Sequence, residues 1–100
     1  MDKNDLEQIS KNAVVVTDVL KSLAHPTRLM ICCLLIENEL SVGQINDTFT
    51  NVSQSVVSQH LTKLKSMNLV KTRRESQTIY YSLKGTRSTE IIKLLQKLYC

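Results

Sequence analysis

Between Thr48 and Arg74 the chain carries no acidic side chain, while five bases, Lys63, Lys65, Lys71, Arg73 and Arg74, fall inside that stretch. Turn-forming residues are scarce as well. Two glycines and one proline serve 100 residues, so tight turns are few and helices should dominate. No apolar run exceeds the eight residues from Leu29 to Ile36, far short of the ~20 that span a bilayer. The opening Met1-Asp2-Lys3-Asn4-Asp5 is charged and lacks an apolar signal core; a cytoplasmic location is the expectation. Cysteines number three, Cys32, Cys33 and Cys100. An odd count argues against a disulfide framework and leaves them as core packers or reactive thiols. No nucleophile–base set, glycine-rich phosphate loop or paired carboxylates occur, so enzymatic chemistry is not expected.

What is present is an uneven charge. Residues 1–47 carry a net −3, residues 75–100 a net +2, and the acid-free stretch +5. A compact positive field beside a neutral or acidic body is the footprint of a nucleic-acid binder, although a solvated basic surface produces the same numbers. One domain over residues 1–100 fits this length. Such a chain buries only roughly 60–65% of its unfolded surface, so pairing with a second copy would add to a thin core.

The first helix is expected from about Asp5 to Leu23. Leu6, Ile9, Ala13, Val16, Leu20 and Leu23 recur at three- and four-residue spacing, and Val14, Val15 and Val19 widen the face so that two sides should be covered. A second helix begins after His25, with Pro26 in its first turn; the apolar run Leu29–Ile36 marks it as central. Ser41 and Gln44 form a capping box for a short third helix that turns Val42, Ile45 and Phe49 inward. Thr50-Asn51-Val52 makes a turn, with Asn51 suited to a left-handed conformation. Ser53 then caps a fourth helix, and Val52 and Val57 make a hydrophobic staple.

On that fourth helix, steps of ~100° per residue separate Val56, Val57, His60, Leu61, Leu64 and Met67 from Gln54, Ser55, Ser58, Gln59, Thr62 and Lys63. The polar face has amides and hydroxyls but no glutamate, unlike an ordinary solvated face with its Glu–Lys pairs. Short hydrogen-bonding groups without acid suit the floor of a DNA groove, where glutamine pairs with adenine and serine or threonine reaches bases or phosphates. Leu69 to Leu83 follows as a hairpin turning at Glu75-Ser76-Gln77. Its basic strand fits a tip lying along phosphates. Gly85 ends it. A last helix runs from about Thr86 to Tyr99, with Ile91, Leu94, Leu95 and Leu98 on one face and Ile92 and Tyr99 flanking. In a monomer this long apolar edge would be exposed, the mark of an interface.

A helix, a short turn, a capped helix with an acid-free polar face and a basic hairpin make a winged helix-turn-helix, mainly α with a small β-hairpin. Leu23-Ala24-His25-Pro26-Thr27-Arg28-Leu29, the run Ser53 to Leu61, and Leu69 to Tyr81 resemble the ArsR/SmtB family of bacterial transcriptional regulators. The resemblance spans about Val16 to Cys100. It implies a cytoplasmic homodimer joined through the first and last helices, which reads an imperfect DNA palindrome and responds to an inducer.

Two of the family's inducer sites are missing. Ser41 and Gly43 stand where many members carry an arsenic- or cadmium-binding cysteine pair. The last helix has no Asp or His for the zinc site of other members, and Glu90 alone cannot build a tetrahedral site. His25 and His60 are read as packing or backbone partners, so no metal or other cofactor is expected. The sulfide-responsive, haemolysin-regulator branch carries reactive cysteines on the second and last helices. Cys33 and Cys100 match those two positions; Cys32 is an extra thiol whose participation stays open. Against reactivity, burial in an apolar run raises a thiol's pKa, and Cys100 adjoins the terminal carboxylate.

The resulting expectation is a regulator in which Gln54, Ser55, Ser58 and Gln59 read base edges while Thr62, Lys63, Arg73, Arg74 and Gln77 hold phosphates. A sulfur bridge between Cys33 and Cys100, longer than a direct disulfide, would release the DNA. The rivals are a member without an inducer that competes with another DNA-binding protein, a metal-responsive repressor with a non-standard site, and a winged-helix module whose basic face binds protein.

Overall fold

The computed structural model describes all 100 residues. Five helices and three strands follow in the order α1 (Lys3–Leu23), α2 (Pro26–Leu34), β1 (Leu40–Ser41), α3 (Val42–Thr48), α4 (Gln54–Ser66), β2 (Val70–Glu75), β3 (Thr78–Leu83) and α5 (Thr86–Tyr99). The strands form one antiparallel sheet in the order β1-β3-β2. This is the winged helix-turn-helix expected, with one addition. Leu40 and Ser41 pair with Tyr81 and Tyr80 and extend the hairpin by a short third strand.

Local chemistry sets the boundaries. α1 begins two residues earlier than its apolar spacing suggests, because Asp2 and Asp5 form a reciprocal capping box. The Nδ1 of His25 accepts from the Thr27 N–H at 3.1 Å, and Pro26 occupies the first turn of α2. Ser41 and Gln44 cap α3 as the sequence implies, with bonds of 3.2 and 2.9 Å. Ser53 Oγ accepts from the Val56 N–H at the start of α4. The left-handed residues are Asn68 and Ser76, not Asn51. Asn68 turns the chain out of α4, and Ser76 lies in the two-residue loop between Glu75 and Thr78.

The core gathers Leu23, Ile31, Cys32, Leu35, Ile45, Phe49, Val57, Leu61, Leu64, Leu69, Val70 and Ile92. Burying each larger aliphatic contributes about 1.5–3 kcal/mol. One expectation changes here. α1 is not covered on two sides: Leu6, Ile9, Val14, Val15, Val16 and Leu20 are all exposed, and only Ser22 and Leu23 at its end are buried. On α5 the apolar edge is left open in the single chain as expected, with Leu94 and Leu98 54% and 64% exposed, while the flanking Ile92 is the residue driven into the core, at 0% exposure. The apolar stripe of α5 is wider than one side of the helix, and the chain's own core takes Ser88 and Ile92, with Ile91 partly buried against it. No helix is long and apolar enough to cross a membrane.

Candidate nucleic-acid interface and thiol recess

α4 is pinned from behind by Val57, Leu61 and Leu64, all fully buried. Gln54, Ser55, Gln59, Thr62 and Lys63 are thereby left exposed together on the opposite side, with Ser58 half-buried. Val56, assigned inward by its angle, is itself partly exposed at the helix start. The Thr62 hydroxyl donates to the Ser58 carbonyl at 2.9 Å, which leaves its lone pairs outward. Ser55 Oγ lies 3.2 Å from Ser53 Oγ. The glutamines have no partner within the chain, and two bases, Lys63 and Lys65, stand in the last turn of the helix. His60 lies half-buried with its ring centroid 4.4 Å from that of His25. Desolvation, then the neighbouring His25 and Arg28, hold its protonation down.

The wing carries the other expected residues with unequal freedom. Gln77 is exposed at the hairpin tip. Arg74 is exposed, its Nε donating to the Ser76 carbonyl at 3.2 Å. Arg73 is already committed. Its guanidinium meets Glu39 through Nη2 at 2.7 Å and through Nε at 3.1 Å, meets Glu75 through Nη1 at 2.9 Å, and lies 4.7 Å over the Tyr80 ring. The Arg73 hydrogen bond holds the Glu39 carboxyl below its ordinary range. A phosphate reaching Arg73 must therefore displace two carboxylates. Glu39, from the loop before β1, was not among the residues singled out by the sequence, because nothing local links it to a strand 34 positions away.

The three thiols lie in three different environments. Cys32 is fully buried in the core. Burial, and next the adjacent Cys33, push its pKa up to about 12, which leaves it a packing residue at neutral pH. Cys33 is half-buried and Cys100 exposed. These two line one recess of about 240 Å³ with Leu29, Leu95, Gln96 and Tyr99. Burial raises the Cys33 thiol's pKa, the neighbouring Cys100 raises it further, and a hydrogen bond from Gln96 works against both. Gln96 also donates to the Cys33 carbonyl at 3.5 Å, tying α5 to α2. The signal for Gln96 was available in the sequence as an amide one turn before Cys100 and on the same side of the helix. Nowhere do three or more His, Cys, Asp or Glu side chains gather as a metal-ligating group.

Comparison with known proteins agrees with this architecture. The model described as "Bacterial regulatory protein, arsR family" matches residues 25–72. The chain is 43% identical over 96 residues to the transcriptional activator HlyU of Vibrio cholerae, covering 96% of this chain and 88% of that one. It is 35% identical over 94 residues to the biofilm growth-associated repressor of Xylella fastidiosa, covering 94% and 82%. Among solved structures, the regulator HlyU from Vibrio vulnificus CMCP6 aligns over the whole of both chains with a TM-score of 0.83 at 47% identity. The repressor BigR from Xylella fastidiosa aligns over 94% of this chain and 92% of its own with a TM-score of 0.82 at 35% identity.

Proposed function

The chain belongs to the arsR family of bacterial transcriptional regulators, and from that premise we propose that it is a single DNA-binding and dimerisation domain whose DNA affinity is set by sulfur chemistry at Cys33 and Cys100. The observation that carries the thiol reading is their shared recess. One thiol from α2 and one from α5 face the same apolar space, while the third cysteine is sealed in the core.

Duplex DNA is the ligand of the polar face of α4. Gln54, Ser55, Ser58 and Gln59 read base edges in the major groove, and Thr62, Lys63, Arg74 and Gln77 hold phosphates. Arg73 joins them once it exchanges Glu39 and Glu75 for a phosphate. Two copies associate through the exposed apolar faces of α1 and α5, which sets the recognition helices about one turn of DNA, ~34 Å, apart. An imperfect palindrome is the matching target. The function places the protein in the cytoplasm. Relatives bear the names of both an activator and a repressor, and the proposal concerns DNA affinity, not the sign of its effect on transcription.

The switch begins at Cys100, the exposed thiol. Its thiolate attacks a sulfur of an inorganic polysulfide, an S–S bond breaks, and a shorter polysulfide leaves. Cys100 is left carrying a chain of two sulfane sulfurs. The Cys33 thiolate then attacks the inner of these and expels the outer one, which leaves as hydrosulfide after taking up a proton. The product is a trisulfide bridge. Two thiols are oxidised by two electrons in all, and sulfane sulfur is reduced to sulfide. A direct disulfide needs Cα atoms roughly 4.4–6.8 Å apart, whereas a bridge with inserted sulfur joins thiols that stand farther apart.

Fluorescence anisotropy on the chain's own upstream DNA tests this. Polysulfide should weaken binding by the anaerobically reduced protein, a thiol reductant should restore it, and Cys33→Ser should be indifferent. A second reading, control by competition with another DNA-binding protein, draws on the upward-pushed Cys33 thiol. Tight binding that polysulfide leaves untouched would select it.

A further inference from the structure

A second recess shares no lining residue with the one that holds the thiols. It has a volume of about 310 Å³ and lies between the end of α1, the first turn of α2 and the last turns of α4. Three of its six lining residues are cationic: Lys21, Arg28 and Lys63. The one acid, Asp18, pairs with none of them; the chain's ion pairs all belong to Arg73. Arg28 is the unusual member. Its Nε is shut off from solvent and has no hydrogen-bond partner. Its Nη groups are not shut off and make no hydrogen bond within the chain, so the outer end of the guanidinium is a donor without an acceptor.

We propose that this recess is a binding site for one phosphate-type oxyanion, with the Arg28 guanidinium, through its reachable Nη groups, as its directional donor and Lys21 and Lys63 as its neutralising charges. The arrangement suits such an anion on three counts. Arginine presents N–H groups in a fixed fork that matches phosphate oxygens, and lysines add charge from flexible stems. A net positive lining attracts an anion and repels a cation. Met67 and the stems of the lysines lower the local dielectric around the donor. The anion is either a backbone phosphate of bound DNA, reached past Lys63 on the groove side of α4, or free phosphate. The site itself does not depend on the DNA reading, because the recess is formed in the chain alone.

The test uses the ¹⁵N-labelled full chain, titrated with sodium phosphate against sodium chloride at matched ionic strength. Phosphate should move the Arg28 Nε–H signal and the Ser22 and Met67 amides, and chloride should not. Neutralising Arg28 removes one cause of the depressed His60 protonation, so the His60 titration should move upward with phosphate. Asp18→Asn should tighten phosphate several-fold, and Lys21→Gln should weaken it several-fold. These two exposed positions keep the test intact even where Arg28→Gln fails to fold. Equal response to phosphate and chloride, or no gain in Asp18→Asn, overturns the proposal. The source is read on duplex DNA. A flatter salt dependence in Lys21→Gln, by about one unit of slope, with phosphate shifts abolished by DNA, assigns the site to the backbone. Phosphate shifts that persist on the complex assign it to the free anion.

Discussion

Replacing Leu98 by glutamine should break the dimer while leaving the fold of each copy intact. Leu98 is 64% exposed in the single chain, yet it continues an apolar edge with Leu94, at 54%, while Leu20 on α1 is 50% exposed. Fully burying a leucine contributes about 1.5–3 kcal/mol. Covering the exposed part of Leu98 therefore contributes roughly 1–2 kcal/mol per copy, or about 2–4 kcal/mol per dimer, because a two-fold interface uses each residue twice. At 1.4 kcal/mol per tenfold change, the dimer dissociation constant should rise roughly 30- to 700-fold. Sedimentation over a wide concentration range reads this directly. The control lies on the same helix. Ile92 is fully buried, so Ile92→Gln places an unpaired amide in the core and should unfold the chain, whereas Leu98→Gln should keep the wild-type circular dichroism and thermal transition. A Leu98→Gln protein whose monomer–dimer equilibrium matches wild type would refute the assignment of this face. A variant that loses its fold would refute the claim that the residue is unused by its own core.

Three further outcomes follow from the same structure. Because the pKa of Cys33 is raised, chiefly by burial, its alkylation at pH 7 should be slower than that of a free model thiol and should accelerate as pH rises past 9; mass spectrometry showing model-thiol rates at pH 7 would contradict this. Cys32 has its proton held more tightly in the folded chain, with its pKa moved from 9.0 to about 12. Its contribution to stability is therefore complete below pH 9 and is lost as pH rises from 9 to 12, so wild type should lose more stability than Cys32→Ala over that window in urea titrations. Removing one of the two carboxylates that hold Arg73 leaves a phosphate only Glu75 to displace. Glu39→Gln should therefore raise DNA affinity about two- to five-fold and steepen the salt dependence by about one unit; weaker binding would instead make the pair a brace that positions the wing.

The helix-turn-helix pair was legible because its signals are local. Ser41 with Gln44, Ser53 at the start of α4 and the separation of Gln54, Ser55 and Gln59 from Val57, Leu61 and Leu64 all depend on residues within two turns of one another. What escaped depends on partners far away in sequence. β1 is only Leu40 and Ser41, and its pairing with Tyr81 and Tyr80 has no local trace. The commitment of Arg73 to Glu39 joins positions 34 apart. The α5 stripe was visible, but periodicity cannot say which part of a wide stripe serves the chain's own core. The structure puts Ile92 there and leaves Leu94 and Leu98 outside. Asn51 had the right chemistry for a left-handed turn, but the structure uses that conformation at Asn68 and Ser76 instead.

The same width of α5 joins the two halves of the proposed mechanism. One edge of the helix leaves Leu94 and Leu98 exposed, where the proposed second copy would pack, and another carries Leu95, Gln96 and Cys100 toward Cys33 on α2. Cys100 lies two residues beyond Leu98, a rise of about 3 Å. A bridge that draws Cys100 toward Cys33 must therefore move Leu98 with it. The effect must also run in reverse, because a coupling free energy between two equilibria is reciprocal. If bridging weakens the dimer, then loosening the dimer must favour bridging by the same factor. Polysulfide-treated wild type should show a higher dimer dissociation constant than reduced protein. Leu98→Gln, held in a defined polysulfide–sulfide buffer, should be bridged at a lower polysulfide fraction than wild type. Bridging that is identical in the two proteins, together with a dimer constant unchanged by treatment, would separate thiol chemistry from assembly. The release of DNA would then have to pass through α2, which carries Cys33 and packs against α4.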